Sequence, residues 1–345
     1  MSYVQHIVKA LPGHLLTQED IRAMGKRILK GRVPFLDQAL NLFGNAGVSR
    51  RYIVRKPEEI LANDNLGWRN RVFREACLDL GRRMMRDLFE QTGIDPGSID
   101  LFVTTSCTGF MIPAIDAYLI NEFGLKPSVK RLPVTELGCA AGAMALSRAH
   151  EYLLAFPRHK ALVMAIELPS LTYQTGDFRM ANLVSAALFG DGGATVLLNG
   201  VEGPCEILGN RTHFFNDTIG YMGFDLDERG FKIILDKKIP QLVESGFKEL
   251  VIDFLAAQGF TLDQMRHFLF HPGGRRILDT MRDCLGLREE DIACSRKVLR
   301  DVGNLSSATV LWVLDELLHA RPRGYGIMSA FGPGFNAEFL ALRFQ

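Results

Sequence analysis

The sequence predicts an α/β fold, and two observations support this prediction. Short apolar runs that are typical of buried strands alternate with helical segments, as in LFVTTS at residues 101–106 followed by AIDAYLINEFG. The order of strand, turn and helix partly recurs from about residue 239 onward. We therefore predict a layered α/β fold with two topologically related halves, residues 1–200 and 201–345, although no residue-level repeat connects them.

Each segment supports this assignment in turn. Helical periodicity dominates residues 17–93 and ends at Gly93. The strand-like VKRLPVTEL precedes Cys139, and AAGAMALSRAHEYLLAF after it predicts a helix that is apolar around most of its circumference and hence buried. Strand-like runs continue with ALVMAIEL, GATVLLNG and CEILGNRTHFF. The second half offers a long helix (IPQLVESGFKELVIDFLAAQG), a strand (RHFLFHP), a helix (RRILDTMRDCLG), a helix beginning near Asn304, and a last strand region after GYGIMSAFGPGF.

Composition excludes several classes of protein. The 345 residues carry a net charge of +1, which gives no global electrostatic reason to bind nucleic acid or an anionic membrane. Apolar runs such as ALVMAI are far shorter than the roughly 20 residues that span a bilayer, so we expect no stable membrane insertion. The N-terminal sequence has no secretory signal pattern, and we expect a cytoplasmic protein.

The six cysteines are scattered, without a CxxC pair or zinc-type spacing, so we expect free thiols and no metal site. Among them, Cys139 lies where a strand-like segment gives way to the buried helix. In the first helical turn its thiolate would be stabilised by unpaired N–H groups, which lowers the pKa and favours a nucleophile. The alternative is a small buried hydrophobic residue, the ordinary role of a free cysteine.

Two further residues lie at the ends of predicted elements. His271 follows the apolar FLF and precedes PGG, so its imidazole can project from the end of a strand. Asn304, in DVGNLSSATVLWVL, stands at a helix start. The alternatives are a turn histidine and an N-cap asparagine. The local sequence leaves open whether these two side chains meet Cys139.

A resemblance to a known family bears on that question. Gly138-Cys139 before a small-residue helix, FHPGG 132 residues after Cys139, GNLSSATV with Asn304 another 33 residues on, and the terminal FGPGF resemble the type III polyketide synthases. These are the chalcone synthase relatives in the thiolase superfamily. GVSRRY, TTSCTGFMIP, GLKPSVKR and ALFGDGGA extend the resemblance over most of the chain. The resemblance implies a thiolase-like layered αβαβα fold.

The Cys/His/Asn set would also fit the β-ketoacyl-carrier-protein synthase III enzymes, which perform a single condensation, but FGPG, NLSSA and GLKPSVKR favour the type III synthases. The resemblance implies iterative decarboxylative condensation of malonyl-CoA onto an acyl-CoA starter. Cys139 would carry the growing acyl chain, and His271 would pair with it and hold it as a thiolate. His271 and Asn304 would later donate to the enolate oxygen formed on decarboxylation. No metal or redox cofactor is implied. A catalytically silent scaffold is disfavoured by the intact set.

Further site residues follow from the resemblance. Phe189 in ALFGDG and Phe231 in GFKIIL match the aromatic pair that the family places between the CoA tunnel and the reaction cavity. On composition alone, either phenylalanine is an ordinary core residue. Gly332 and Pro333 in FGPGF would shape the cavity wall, because glycine permits backbone conformations that other residues avoid.

The resemblance also implies CoA contacts and a partner subunit. Arg50 and Arg51 in SRRY match the basic residues that bind the CoA phosphates, and a bidentate guanidinium suits that role. Solvated surface arginines are the alternative. The family is homodimeric, and a residue before Pro113, either Met111 or Ile112, would reach across the interface toward the partner's cavity.

Departures from the family bear on the substrate. Leu171 and Met222 stand where plant chalcone-forming members carry threonine and glycine, whereas Ser306 is retained. Bulkier residues should reduce or redirect the cavity. The segment ELPSLTYQTGD resembles bacterial members that accept fatty acyl starters and release alkylpyrones or alkylresorcinols, which is the product class we predict. An aromatic or a malonyl starter is the alternative.

Overall fold

A computed structural model describes all 345 residues. The strands are β1 (Ser2–Ala10), β2 (His14–Thr17), β3 (Arg50–Ile53), β4 (Leu101–Thr105), β5 (Lys130–Val134), β6 (Lys160–Glu167), β7 (Gly192–Asn199), β8 (Cys205–Phe214), β9 (Met222–Asp227), β10 (Gly230–Leu235), β11 (Met265–Phe270), β12 (Gly324–Gly332) and β13 (Asn336–Phe344). The helices are α1 (Gln18–Leu29), α2 (Leu36–Asn45), α3 (Pro57–Ala62), α4 (Leu66–Thr92), α5 (Ile115–Phe123), α6 (Ala141–Ala155), α7 (Met180–Leu188), α8 (Ile239–Ala257), α9 (Arg275–Leu285), α10 (Ala293–Val302) and α11 (Thr309–His319).

Nine of the strands form one mixed sheet, in the order β11-β12-β13-β8-β1-β7-β6-β4-β5. In the first half, β4 and β6 are parallel, β6 and β7 are antiparallel, and β7 and β1 are antiparallel. In the second half, β11, β12, β13 and β8 repeat that pattern in the same chain order. Strands β1 and β8 meet antiparallel at the centre. The two halves are therefore topologically related, and the predicted boundary near residue 200 falls between β7 and β8.

The two halves of the sheet lie on opposite sides of a pair of central helices, and further helices cover their outer faces, which gives five layers. The buried helices α6 and α11 form the central layer, and their apolar side chains share one core with strands from both halves. Helices α4 and α5 cover the outer face of the first half. Helices α8 and α9 cover that of the second half. This arrangement confirms the predicted αβαβα architecture and places the N-termini of α6 and α11 side by side at the centre of the molecule.

Small residues allow this close approach, as the sequence of α6 indicated. A Cβ atom at Gly142 would lie 2.0 Å from the carbonyl oxygen of Ser307, which no side chain can occupy. The start of α6 therefore packs directly against the turn that precedes α11. The predicted end of α4 is also confirmed, because Gly93 adopts φ of +64° there and its N–H bonds to the Phe89 carbonyl.

The remaining elements lie around this centre. The predicted helical region 17–93 contains four helices, and strand β3, which pairs with β2, lies between the second and the third of them. Strands β9 and β10 form a separate two-stranded hairpin that does not join the main sheet. Helix α7 and this hairpin enclose a space next to the N-termini of α6 and α11. None of the helices has the length and apolar character needed to cross a membrane.

Candidate active site

A cavity of about 780 Å³ lies between the two halves of the chain. Its size is within the range of sites that bind small organic ligands. Cys139, His271 and Asn304 all line it, so the structure brings together the three side chains that the sequence singled out. Half of the 36 lining residues are hydrophobic. The cavity is therefore an apolar chamber with a few convergent polar groups.

Cys139 lies in a single 3₁₀ turn, Gly138–Ala140, that leads directly into α6. Its thiol donates to the hydroxyl oxygen of Ser306 at 3.6 Å. Burial raises the pKa of Cys139 to about 12, although hydrogen bonds from Ser306 and Asn304 oppose that effect. The predicted lowering of this pKa by the helix N-terminus is wrong, because loss of hydration outweighs it. Burial of Cys139 thus favours the neutral thiol over the thiolate.

His271 follows β11 directly, as predicted, and its backbone N–H donates to the Ser329 carbonyl at 2.8 Å. The residue is 3% exposed, and neither ring nitrogen has a hydrogen-bond partner within the protein. Burial lowers the pKa of His271 to about 3, so the imidazole is neutral. Buried polar atoms are almost always paired. Two unpaired nitrogens facing a cavity indicate a group that interacts with a ligand there.

Asn304 is held in one orientation by its side-chain oxygen. That oxygen accepts from the Ser306 backbone N–H at 2.8 Å and from the Thr309 hydroxyl at 3.1 Å. The amide N–H groups are therefore free to face Cys139. The backbone of Asn304 also pairs with α7, through bonds to Leu188 and Gly190. The side-chain oxygen of Asn304 is thus bound to the turn that leads into α11, and its NH₂ group is the part left for the cavity.

Ser306 and Cys107 lie between Cys139 and the buried carboxylate of Glu167. Ser306 adopts φ of +48°, a strained conformation for a residue with a side chain. Its hydroxyl lies 3.6 Å from the Cys139 sulfur and 3.5 Å from that of Cys107. Beneath them, Glu167 accepts from Ser307 at 2.6 Å and Thr108 at 2.8 Å. The sequence analysis missed Cys107, although TTSCTGFMIP carried the family resemblance.

The comparisons with known proteins agree with this geometry. Residues 50–203 match the family model described as FAE1/type III polyketide synthase-like protein. Residues 206–344 match the C-terminal domain of chalcone and stilbene synthases. A 1,3,6,8-tetrahydroxynaphthalene synthase of Streptomyces griseus is 33% identical over 95% of this chain and 89% of its own length. The chain belongs to the type III polyketide synthases.

Other members of the family cover nearly the whole chain. The phloroglucinol synthase of Pseudomonas fluorescens is 31% identical over 95% of both chains. The crystal structure of 1,3,6,8-tetrahydroxynaphthalene synthase from Streptomyces coelicolor A3(2) superimposes with a TM-score of 0.94 at 31% identity, covering 99% of each chain. The predicted family, thiolase-like fold and acyltransferase class are confirmed. The alternative of a carrier-protein-dependent synthase III is not retained.

In this type III polyketide synthase, the predicted FGPGF loop packs directly on the turn that bears the nucleophile. Gly138 has φ of +48°, and a Cβ atom there would lie 2.6 Å from Pro333. A Cβ atom at Gly332 would lie 2.5 Å from the Leu137 carbonyl. Pro333 and Phe331 line the cavity, whereas Gly332 lies behind them. These contacts hold Cys139 at the cavity wall.

The residues predicted to line the substrate space divide into two groups. Phe189 and Met222 line the cavity. Leu171 does not, because it is buried against the core beneath α4, and the adjacent Thr172 occupies the wall instead. Leu171 therefore does not reduce the cavity, contrary to the expectation from the sequence, and a threonine stands at this part of the wall. Phe231 lies two residues before the lining residue Ile233 on β10. Its ring is 5.2 Å from that of Phe110, and it does not line the cavity.

The two arginines predicted to bind CoA lie away from the cavity wall. Arg51 is 1% exposed and donates to the backbone carbonyls of Ala186, Ala187 and Phe189, so it organises the end of α7 and has no access to a phosphate. Burial lowers the pKa of Arg51 to about 9. Arg50 is exposed, but its side chain bonds to Asp301.

Other cations line the cavity entrance of the synthase. Lys237, Arg275 and Arg276 are exposed and belong to the lining. Arg275 lies 3.8 Å from Asp279, whereas Lys237 and Arg276 have no ion pair. The sequence analysis assigned RRILDTMRDCLG only to a helix. Two arginines stand in the first turn of α9, where the helix dipole disfavours positive charge. This unfavourable placement was the feature of the sequence that could have indicated a binding role.

Proposed function

We propose that this type III polyketide synthase transfers a fatty acyl group from CoA to Cys139, extends it repeatedly with malonyl-CoA, and releases an alkylpyrone or alkylresorcinol. The observation that carries the proposal is the apolar character of a cavity of about 780 Å³ that reaches Cys139. Met222, Ile233 and Val184 present aliphatic side chains to it. Such a lining favours an aliphatic chain, because burial of its methylenes removes apolar surface from water.

The neutral thiol and imidazole define the proton transfers of this reaction. His271 accepts the Cys139 proton as the sulfur attacks the starter thioester, and the departing CoA thiolate takes that proton. Malonyl-CoA then loses CO2, and the electron pair moves onto its thioester oxygen. The His271 and Asn304 N–H groups stabilise that enolate, whose carbon attacks the acyl group on Cys139. The Cys139 sulfur leaves as thiolate. It then attacks the thioester of the lengthened chain, which returns to Cys139 as CoA departs.

The cations at the entrance are suited to the other end of the substrate. CoA carries phosphate groups that remain outside when its thioester reaches Cys139. Lys237 and Arg276 lack acidic partners and line the entrance, so we assign them the phosphate contacts first expected of Arg50 and Arg51. Guanidinium groups bind phosphate with bidentate hydrogen bonds.

A malonyl starter is the second candidate, and the relatives favour it. Their names specify tetrahydroxynaphthalene, phloroglucinol and a dihydroxyphenylacetyl product. Every carbon of these aromatic skeletons can come from two-carbon units, so no fatty acyl starter is needed. The polar groups at one end of the cavity, Cys107, Thr172 and Ser306, could accommodate such an oxygenated chain.

We also propose that the enzyme is a homodimer. Ile112 is 96% exposed, an unusual state for an isoleucine on a free surface, and β5 is an open edge of the main sheet. A partner subunit covering both would bury Ile112, as the resemblance to the family implies.

Mass spectrometry of products from a panel of starters tests the two candidates. The purified enzyme is incubated with labelled malonyl-CoA alone, and with short-chain, long-chain and p-coumaroyl CoA thioesters. We expect long-chain starters to give the highest kcat/KM and products that contain the starter. Efficient product formation from malonyl-CoA alone, without incorporation of any added starter, would instead establish the second candidate.

A further inference from the structure

One side of the cavity is formed by elements outside the main sheet. Residues of β9 and β10, the turn Pro169–Thr172 and helix α7 all contribute lining side chains. The hairpin is held to the rest of the protein by few polar contacts. At its tip, the Leu66 N–H donates to the Glu228 carbonyl. Further along β10, the side chain of the exposed Arg179 donates to the Ile233 carbonyl at 3.4 Å. Its position therefore depends strongly on any buried contact along its length.

Gln174 makes that buried contact. It is 4% exposed, and its side-chain NH₂ donates to the Phe231 carbonyl on β10 at 2.9 Å and to the Thr172 carbonyl at 3.4 Å. Thr172 lines the cavity, as does Ile233, which lies two residues after Phe231 on β10. Gln174 thus bridges two parts of one wall, although it does not itself line the cavity.

Two further buried polar residues hold Gln174 in place. Asn182, on α7, exchanges hydrogen bonds with the Gln174 backbone at 3.3 and 2.9 Å. Arg69, on α4, donates to the carbonyls of Leu171 and Tyr173 at 2.7 and 2.5 Å. Each of these residues is at most 4% exposed. The turn that bears Thr172 is therefore fixed from behind by α4 and α7 while Gln174 reaches toward the hairpin.

Gly230 allows the hairpin to lie against this cluster. It has φ of +119°, and a Cβ atom there would lie 3.3 Å from Arg69 and 3.5 Å from the Gln174 NH₂ group. A side chain at this position would be strained by the positive φ and would press on Arg69, while only touching Gln174. The glycine, the arginine and the glutamine therefore form one closely packed junction between β10 and the turn.

We propose that Gln174 is a positioning residue that sets the distance between the β9–β10 hairpin and the Thr172 turn, and thereby limits the length of the polyketide chain. This inference rests on the proposed function, because it assigns length control to the same cavity. Cys139, His271 and Asn304 line the same cavity, and none of them is a hydrogen-bond partner of Gln174. Moving the hairpin therefore changes the space for the chain without changing the chemistry.

The test compares Gln174→Met with the wild-type enzyme. Methionine keeps the length of the side chain but cannot donate to Phe231, so the hairpin loses its buried hydrogen bond. We expect malonyl-CoA decarboxylation to proceed at the wild-type rate, while the ratio of longer to shorter products in the mass spectrum increases about tenfold, the low end of the discrimination per methylene. An unchanged product ratio at unchanged decarboxylation would overturn the proposal.

Gln174→Glu supplies a test within one folded protein. A protonated carboxyl group can donate to the Phe231 carbonyl, whereas a carboxylate repels it. We expect the product ratio of this variant to approach that of the wild type at acidic pH and that of Gln174→Met at alkaline pH. A ratio that tracks the wild type at every pH contradicts the proposal, even if Gln174→Met fails to fold.

Gln258→Met is the matched control, because Gln258 follows α8 and does not line the cavity. Its products should match those of the wild type.

Failure of the proposed function and failure of the positioning role can be told apart. If the wild-type enzyme releases no CO2 from malonyl-CoA and forms no product, the proposed function fails. If it forms product and Gln174→Met leaves the product ratio unchanged, only the positioning role fails.

Discussion

The two walls of the cavity differ in how they are built. The catalytic wall is formed by the ends of helices and a strand of the layered core: Cys139 at α6, Asn304 before α11 and His271 after β11. Its backbone is fixed by contacts that only glycine permits, such as Gly142 against Ser307. The second wall consists of a turn, an isolated hairpin and α7, whose C-terminal end is bonded to the Asn304 backbone. The first wall is thus held by close backbone contacts, whereas the hairpin of the second is not part of the main sheet.

This difference separates the chemistry from the choice of substrate. Preorganised donors lose their effect when they are misplaced by about 1 Å, so they need a rigid support. Chain length depends instead on the volume of a space, which a peripheral hairpin can change without disturbing the core. Substitutions in the two walls should therefore have different effects, and the following predictions begin with the largest.

Cys139→Ala should abolish product formation. Without the sulfur, no acyl group is held for attack, and we expect a loss on the order of 10³-fold or more in turnover. The measurement is incorporation of labelled malonyl-CoA into products. Cys107→Ala is the matched control, because Cys107 lines the same cavity and shares the Ser306 hydroxyl. Undiminished product from Cys139→Ala would refute the assignment of the nucleophile.

Asn304→Ala should slow decarboxylation of malonyl-CoA by about 10²- to 10³-fold, because one of two donors to the enolate oxygen is lost. Acylation of Cys139 by the starter should be affected much less, since it forms no enolate. Release of CO2 and labelling of the protein by a radioactive starter measure the two steps separately. Equal losses in both steps would instead indicate that Asn304 only supports the structure.

The catalytic wall could be predicted from the sequence, and the other wall could not. Cys139, His271 and Asn304 stand in short motifs whose positions at the ends of a strand or helix follow from local sequence. Leu171 illustrates the opposite case. The orientation of a residue in a turn depends on what packs around it, and here Arg69 binds the Leu171 carbonyl and the core takes its side chain. Thr172 faces the cavity as a result.

Burial explains the other differences from the sequence predictions. SRRY gives two adjacent arginines, but only the fold shows that Arg51 lies inside, bound to three carbonyls. The pKa of Cys139 likewise depends on how much water reaches the sulfur, which the sequence does not encode locally. The layered α/β architecture was predictable, since the alternation of strands and helices and the buried α6 both appear in the hydrophobic pattern. The number of layers followed only from the resemblance to the family.

The neutral state of the catalytic wall can be tested by alkylation. Because burial raises the pKa of Cys139 to about 12, only a small fraction is thiolate near neutral pH. The rate of inactivation by iodoacetamide should therefore increase about tenfold per pH unit between about pH 6 and about pH 9, because the thiolate is the reactive form. Peptide mass spectrometry identifies the alkylated cysteine. A plateau in the rate near neutral pH would indicate a thiolate paired with protonated His271 and would contradict the assignment.

The smallest effect is expected at the entrance, where Arg276 is exposed. Arg276→Ala should raise KM for CoA thioesters by about fivefold or less, because an exposed ion pair contributes at most about 1 kcal/mol. Arg71→Ala, which removes an exposed arginine on α4, is the control and should leave KM unchanged. Malonyl-N-acetylcysteamine lacks the phosphates, so its KM should be the same for wild type and Arg276→Ala. An increase in KM for this truncated substrate would show that Arg276 acts on the shape of the cavity instead of on phosphate. Added salt should reduce the difference between the wild type and the variant, since it screens exposed charges.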